Sequence, residues 1–176
     1  LSNDVVRLES IAERFSKIGS QPELKKHNLY TVLEESVNYM RVRSSRKILF
    51  HLSGDKTIET LLNKNLFVWV VENLMKNAVD SIEGAGEIRV HIEQSTDRKF
   101  TFIDICDTGK GIPKTRKKRV FKPGFTTKSR GWGLGLTLAK RIIENYHHGK
   151  IFVKHTAPGK GTTFRISLKQ RTNSNA

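Results

Sequence analysis

Apolar residues at the start of the chain fall at alternating four- and three-residue steps, Leu1, Val5, Leu8, Ala12, Phe15 and Gly19, reinforced by Ile11 and Ile18. Such spacing predicts one apolar stripe on a helix. Gly19-Ser20-Gln21-Pro22 ends it, because glycine suits a helix C-terminus and proline resists continuation. A terminal stripe of this kind suits packing against another helix; an ordinary first helix of the same domain is the alternative. A second helix is predicted from about Leu29, with Leu33, Val37 and Met40 on one side, followed by a strand over residues 47–52. The most strongly helical stretch runs from about Leu66 to Ile82, where Phe67, Val70, Val71, Leu74, Ala78 and Ile82 share a face and Gly84 and Gly86 stop it. Strands over 87–94 and 100–107, a helix from about Gly133 to Tyr146, and strands over 150–155 and 162–169 complete the pattern. Helices mixed with strands, two of them adjacent at the end, predict an α+β two-layer sandwich rather than regular βαβ winding. The tail, 170–176, is polar and expected to be loose, and no internal repeat is visible.

Composition changes this picture little. The 176 residues, 36% hydrophobic and 28% charged, fit one domain with a short appendage and exclude disorder, collagen or an end-to-end coiled coil. No apolar run approaches a membrane span and the start lacks the features of a signal peptide, so a soluble chain is expected. The leading Leu suggests a piece of something longer and leaves room for a membrane anchor outside it. Cys106 stands alone, which rules out an internal disulfide or zinc ribbon and suits a reducing, cytoplasmic setting; it is expected in the core of its strand.

Charge changes the picture more. The formal net charge is +15, yet residues 1–109 sum to −1 and residues 110–176 to +16, with Glu144 the one acid in the second part. Nine of those cations lie between Lys110 and Arg130, interleaved with Gly111, Pro113, Pro123 and Gly124, and predict a long cationic loop.

Four patterns carry candidate chemistry. Asn73 and Asn77 stack on one face of the 66–82 helix beside Lys76 and Asp80. Amide oxygens can ligate a hard cation such as Mg²⁺, although an isolated pair of this kind more often just faces solvent. Asp107-Thr108-Gly109-Lys110-Gly111-Ile112 delivers a carboxylate from a strand into a glycine turn. An ionised carboxylate accepts hydrogen bonds and can hold an exocyclic amino group, and glycines let backbone approach a flat ring; a plain type I turn is the bland alternative. Gly131-Trp132-Gly133-Leu134-Gly135-Leu136 opens a helix with exposed backbone N–H groups, a setting for phosphate, without the context of a Walker loop or dinucleotide fingerprint. Gly159-Lys160-Gly161-Thr162 is a tight turn into the last strand.

The order of these pieces, with Phe121 and Phe125 between them, resembles the ATP-binding catalytic domain of sensor histidine kinases, in the superfamily of DNA gyrase, Hsp90 and MutL. The resemblance implies the Bergerat-type sandwich over residues 24–169, with a flexible ATP lid at about 112–132 and, over 1–20, the end of the second helix of a dimerisation and phosphoacceptor hairpin. It implies ATP and Mg²⁺, with Asn77 on the metal and Asn73 and Lys76 at the phosphates in catalytic roles. Asp107 would take the adenine amino group, Gly109 and Gly111 would line the base pocket, Ile112 would belong to the ATP site where the lid begins, and Thr162 would stand near the adenine side. Asp80, Phe121, Thr126, Thr127, Lys128, Gly131, Gly133, Leu134, Gly135 and Leu136 complete the implied nucleotide site. Asp80 stands where many members have lysine, a departure at the phosphate end; Lys169-Gln170 and His148-Gly149 depart peripherally.

The implied reaction passes the γ-phosphoryl group to a histidine on an upstream helix, for relay to a response-regulator receiver domain, in a kinase expected to dimerise. None of His27, His51, His91, His147, His148 and His155 sits in an acidic helical setting, so this chain is expected to bind nucleotide without phosphorylating itself. His147-His148 reads as a solvated helix end. A gyrase-type hydrolytic ATPase is the nearest rival, and it lacks its glutamate: Asn73 holds that position and Glu72 points about 100° away. A basic nucleic-acid module is the second rival, with only weak, salt-sensitive affinity expected.

Overall fold

The computed structural model describes residues 21–125 and 133–171. The predicted first helix therefore lies outside the described residues, as does the end of the tail. A short strand β1 (Lys25–Asn28) leads into helix α1 (Leu29–Arg43), which buries Leu29, Val32, Leu33, Ser36, Val37 and Met40, a repeat of three and four residues along one stripe. Asn28 caps it by accepting the Thr31 N–H at 2.9 Å. Strands β2 (Ile48–Gly54) and β3 (Glu59–Leu62) follow, then helix α2 (Lys64–Ser81), β4 (Gly86–Gln94) and β5 (Phe100–Asp107). Helix α3 (Gly135–Arg141) continues as a π turn over Ile142–Tyr146 before β6 (Lys150–Thr156) and β7 (Thr162–Lys169).

The main sheet runs β2-β4-β5-β7-β6, with β2 parallel to β4 and every other pair antiparallel; β1 and β3 form a separate antiparallel pair. Alternation sorts its faces. Val90, Ile105, Phe164 and Val153 stand in register across four strands, and Ile92, Ile103, Ile166 and Ile151 form a second row. Both rows are buried against the helices, and each fully buried side chain contributes about 1.5–3 kcal/mol. The outer face is polar. There Arg165 bonds Asp104 at 2.6 Å and Glu93 at 2.6 Å, Lys154 reaches Asp104 at 2.8 Å, and the guanidinium lies 4.3 Å from the Phe102 ring centre. Cys106 belongs to this outer face, half-buried, because it shares parity with Phe102 and Asp104 rather than with Ile103 and Ile105. At the β2 edge, Arg41 donates to the Phe50 carbonyl at 3.1 Å and so covers a group that would otherwise invite another strand.

The long predicted helix from Gly133 is shorter than its pattern. Gly133 has φ +63°, outside helical space, and the helix begins two residues later. Its far end widens into the π turn, where the His147 N–H bonds the Ile142 carbonyl. That extra residue turns His147 inward. His147 is buried, its ring lying between the Ile142 carbonyl (Nδ1, 2.9 Å) and the Asn63 N–H (Nε2, 3.1 Å), so the solvated helix end expected from sequence is corrected. The tail is held further than expected: the Gln170 N–H bonds the Lys99 carbonyl at 2.7 Å. Among the described residues no helix is long and apolar enough to cross a membrane.

Candidate functional site

Helix α2 runs along the site. Its N-terminus is fixed by Asn63, whose side chain caps Leu66 N–H at 3.1 Å, and its apolar face is locked into the core through Phe67, Val70, Leu74 and Ala78. The flank beside it carries Asn73, Lys76, Asn77 and Asp80, with the two asparagines half-buried and Lys76 and Asp80 exposed. Asn73 Nδ2 is buried and has no hydrogen-bond partner among the described residues. A buried amide donor without an acceptor is costly and calls for one. The N-terminus of α3 stands directly against it: a Cβ at Gly135 would lie 2.7 Å from Asn73 Oδ1.

The C-terminal end of α2 meets the end of β5. Asp107 is 5% exposed, and its Oδ1 accepts the Gly109 N–H at 2.8 Å and the Ser81 hydroxyl at 3.1 Å. Burial raises its pKa above the ordinary carboxylate value, against the lowering effect of Gly109, Ser81 and the Thr162 backbone N–H. A carboxylate has about four lone-pair sites, so three donors leave room for a fourth. The glycines around it are required by the chain itself. A Cβ at Gly109 would sit 1.9 Å from Ser81 Oγ, one at Gly111 2.0 Å from the Ala157 carbonyl, and one at Gly161 1.8 Å from the Asp107 carbonyl. Gly111 and Gly161 also adopt φ +73° and +84°. The approach that these residues permit is that of strand end, helix end and hairpin to one another.

The cationic loop leaves this cluster at Ile112, whose N–H bonds Thr156 Oγ1 at 2.7 Å. Its described part, up to Phe125, forms two short 3₁₀ turns over Lys114–Arg116 and Arg119–Phe121, more regular structure than its composition suggests. Val120 and Phe121 are buried. The Phe121 ring stands edge-on to Phe164 with centroids 6.0 Å apart, and its carbonyl accepts the Thr137 hydroxyl at 3.0 Å, so Phe121 fastens the loop to the core. Gly133 is half-buried, and a Cβ there would lie 2.7 Å from Gly124, closing the loop's base. Leu134 is exposed, while Leu136 packs against the core. Thr126, Thr127, Lys128 and Gly131 lie outside the described residues.

Asp107, Gly109, Gly111, Ile112 and Thr162 thus cluster at one end of the site, and Asn73 meets Gly135 at the other. Sequence reasoning missed Ser81 and Thr156. Ser81 had a signal, since it follows Asn73 and Asn77 at four-residue steps on the same face. Thr156 had none. An open groove of about 330 Å³, lined by Lys26, Thr57 to Leu61, Gln94, Gln170 and Arg171, lies at the opposite end of the sheet and takes no part.

A family model described as histidine kinase-, DNA gyrase B-, and HSP90-like ATPase matches residues 63–172. Signal transduction histidine-protein kinase AtoS of Escherichia coli strain K12 is 42% identical over 106 residues, which is 60% of this chain and 17% of AtoS. Sensor histidine kinase ZraS of Salmonella typhimurium is 36% identical over 144 residues, 80% of this chain and 30% of ZraS. The chain therefore spans less than a third of the length of either. The catalytic domain of histidine kinase ThkA superposes with a TM-score of 0.75 at 25% identity, covering 84% of this chain and 96% of that one. ThkA in complex with response regulator protein TrrA shares the fold at 22% identity and a TM-score of 0.74, over 99% of this chain and 50% of that one.

Proposed function

The chain belongs to the histidine kinase-, DNA gyrase B- and HSP90-like ATPase family, and from that premise we propose that it presents Mg²⁺-bound ATP for transfer of the γ-phosphoryl group to a histidine of the intact protein. The observation that carries this reading is the pairing of a buried carboxylate, Asp107, held beside the C-terminal end of α2 by Ser81, with an unsatisfied amide donor, Asn73, about two turns back along the same helix. The carboxylate has acceptor capacity for the amino group of adenine. The amide has a proton for a phosphate oxygen. The backbone N–H groups opening α3 face the same end as Asn73.

The donor set also suits a hard cation. Among the described residues there is no cluster of three or more His, Cys, Asp or Glu that could hold a metal alone, and Mg²⁺ commonly takes its remaining oxygens from phosphates and water. Asn77 would supply an amide oxygen, and the bound ion would offset phosphate charge. The remaining work of the chain is positioning and neutralisation, as phosphoryl transfer requires. Asn73 would orient the phosphate end, Lys76 lies one turn away on the same face, and the seven cations from Lys110 to Lys122, on the loop that leaves Asp107, would offset phosphate charge.

The acceptor histidine belongs to another part of the intact protein. His27, His51, His91 and His155 lie on strands, His147 is buried, and His148 occupies a turn at φ +53°. A receiver domain would then take the phosphate. The position four residues before Asn77, where a hydrolytic relative would carry its glutamate, holds Asn73, which disfavours activation of water. Calorimetry with a non-hydrolysable ATP analogue tests the pocket: Asp107→Ala and Asn77→Ala should each weaken binding by tenfold or more, on the order of 1.5–3 kcal/mol for a lost charged contact. With Mg²⁺ and labelled ATP this chain should gain no acid-labile phosphate. Appreciable ATP turnover abolished by Glu72→Ala would favour the hydrolytic alternative instead.

A further inference from the structure

Thr156 ends β6 and is 9% exposed, wedged between the root of the cationic loop and the β6–β7 hairpin. Its hydroxyl meets four polar groups. The Ile112 N–H donates to it at 2.7 Å, the carbonyls of Ile112 and Gly161 each lie 3.2 Å away, and the Thr162 hydroxyl is 3.0 Å away. A hydroxyl has one proton and two lone pairs. The Ile112 N–H takes one lone pair, which leaves one proton and one lone pair for three partners. Two of those are carbonyls and can only accept. Thr162 can do either, and its choice fixes the rest. When Thr162 donates, Thr156 shares its own proton between the two carbonyls, which lie at equal distance. When Thr162 turns its proton elsewhere, it can accept from Thr156, and the carbonyls lose that donor.

Thr162 flanks the group that would hold the base. It is the register partner of Asp107, its backbone N–H is among the donors to that carboxylate, and its side chain is buried. We infer that Thr156 is a positioning residue that couples the base end of the pocket to the root of the cationic loop through one contested proton. The coupling rests on the nucleotide reading above: a base whose ring acceptor engages the Thr162 hydroxyl draws the Thr156 proton toward Thr162. Ile112 then keeps its N–H bond and loses the proton on its carbonyl. By linkage, whatever holds Ile112 in either arrangement alters affinity for the base by the same factor.

The test uses the isotope-labelled chain, with amide exchange at Ile112 and the carbonyl shifts of Ile112 and Gly161 followed by nuclear magnetic resonance, with and without Mg²⁺ and ADP. In the nucleotide-free chain Thr156→Val should speed Ile112 amide exchange by about tenfold, the scale of one lost hydrogen bond, and Thr156→Ser should restore it. Saturating ADP should move both carbonyl shifts in the wild type and in Thr156→Ser, and neither in Thr162→Val. Should Thr156→Val fail to fold, the wild type, Thr156→Ser and Thr162→Val still decide the matter. ADP binding that leaves both carbonyls unmoved in the wild type overturns the coupling while the nucleotide reading stands. A wild-type chain that binds no ADP overturns both.

Discussion

Two demands meet at Asp107. Burial favours its neutral form, while accepting a fourth donor beside Gly109, Ser81 and Thr162, as the proposed hold on an adenine amino group would need, calls for the ionised one. Its folded pKa lies above the unfolded value, so the folded state binds the proton first and protonation favours folding as pH falls through the folded pKa. Binding responds with the opposite sign. Nucleotide affinity should decline on acidification before ordinary carboxylates titrate, and the decline should vanish in Asp107→Asn; calorimetric titrations from about pH 7 down to pH 4 check this. Asp104 behaves in reverse. Burial works against its ionised form, but Arg165 and Lys154 prevail and lower its pKa, so its stabilisation is present above the unfolded value and is lost as pH falls through the folded one. At Gly161, a methyl would stand 1.8 Å from the Asp107 carbonyl at a φ of +84°. Gly161→Ala should therefore destabilise the fold by about 1–3 kcal/mol or more, measured by urea unfolding, and displace the very strand end that carries the carboxylate.

Among the elements, the π turn after α3 does what a regular helix there would not. It turns His147 under the N-terminus of α2, where the ring accepts the Asn63 N–H and packs against Phe67 at 6.1 Å. Accepting that bond through Nε2 while Nδ1 faces the Ile142 carbonyl requires the neutral ring, and burial lowers the pKa accordingly. The unfolded chain then binds the proton more readily, so stability should fall as pH drops below about 6.5 toward the folded pKa. Thermal melts across that window should show the slope in the wild type and lose it in His147→Gln. The helix expected over residues 133–146 gave no sign of this, because a sequence pattern reports a helix but not the one-residue widening at its end. Strands β1 and β3 were equally hidden. Four residues each, Lys-Lys-His-Asn and Glu-Thr-Leu-Leu, are too short for alternation to register. By contrast α1, α2 and the main-sheet strands were legible, since each has long stretches in which parity or helical spacing decides burial. Motif order singled out the candidate site, and its glycines also answer a packing demand that spacing does not reveal: Cβ atoms at Gly109, Gly111 and Gly161 would meet Ser81, Ala157 and Asp107.

For the whole molecule, charge is segregated rather than spread. Seven cations between Lys110 and Lys122 lie on a described segment that is rooted beside Asp107 and fastened to the core by Phe121. Their attraction for phosphates is long-ranged and open to screening. Raising salt from about 0.05 M to about 0.5 M should weaken ATP binding strongly and adenosine binding little, a difference that calorimetry reads directly.

Helix α2 also behaves as a gauge. Asn73 and Ser81 are eight positions apart, which at 1.5 Å per residue is about 12 Å along a rod that cannot be stretched. On the proposed reading, a ligand that joins the phosphate end at Asn73 to the base end at Asp107, which Ser81 holds, must span both marks. A bare nucleoside would then reach one of them, whereas a nucleoside carrying a chain of phosphates would reach both. Removing a single residue between Asn77 and Ser81 would shorten the gauge by only about 1.5 Å but swing one mark about 100° around the rod, so this site would sooner lose its ligand than learn to measure a shorter one.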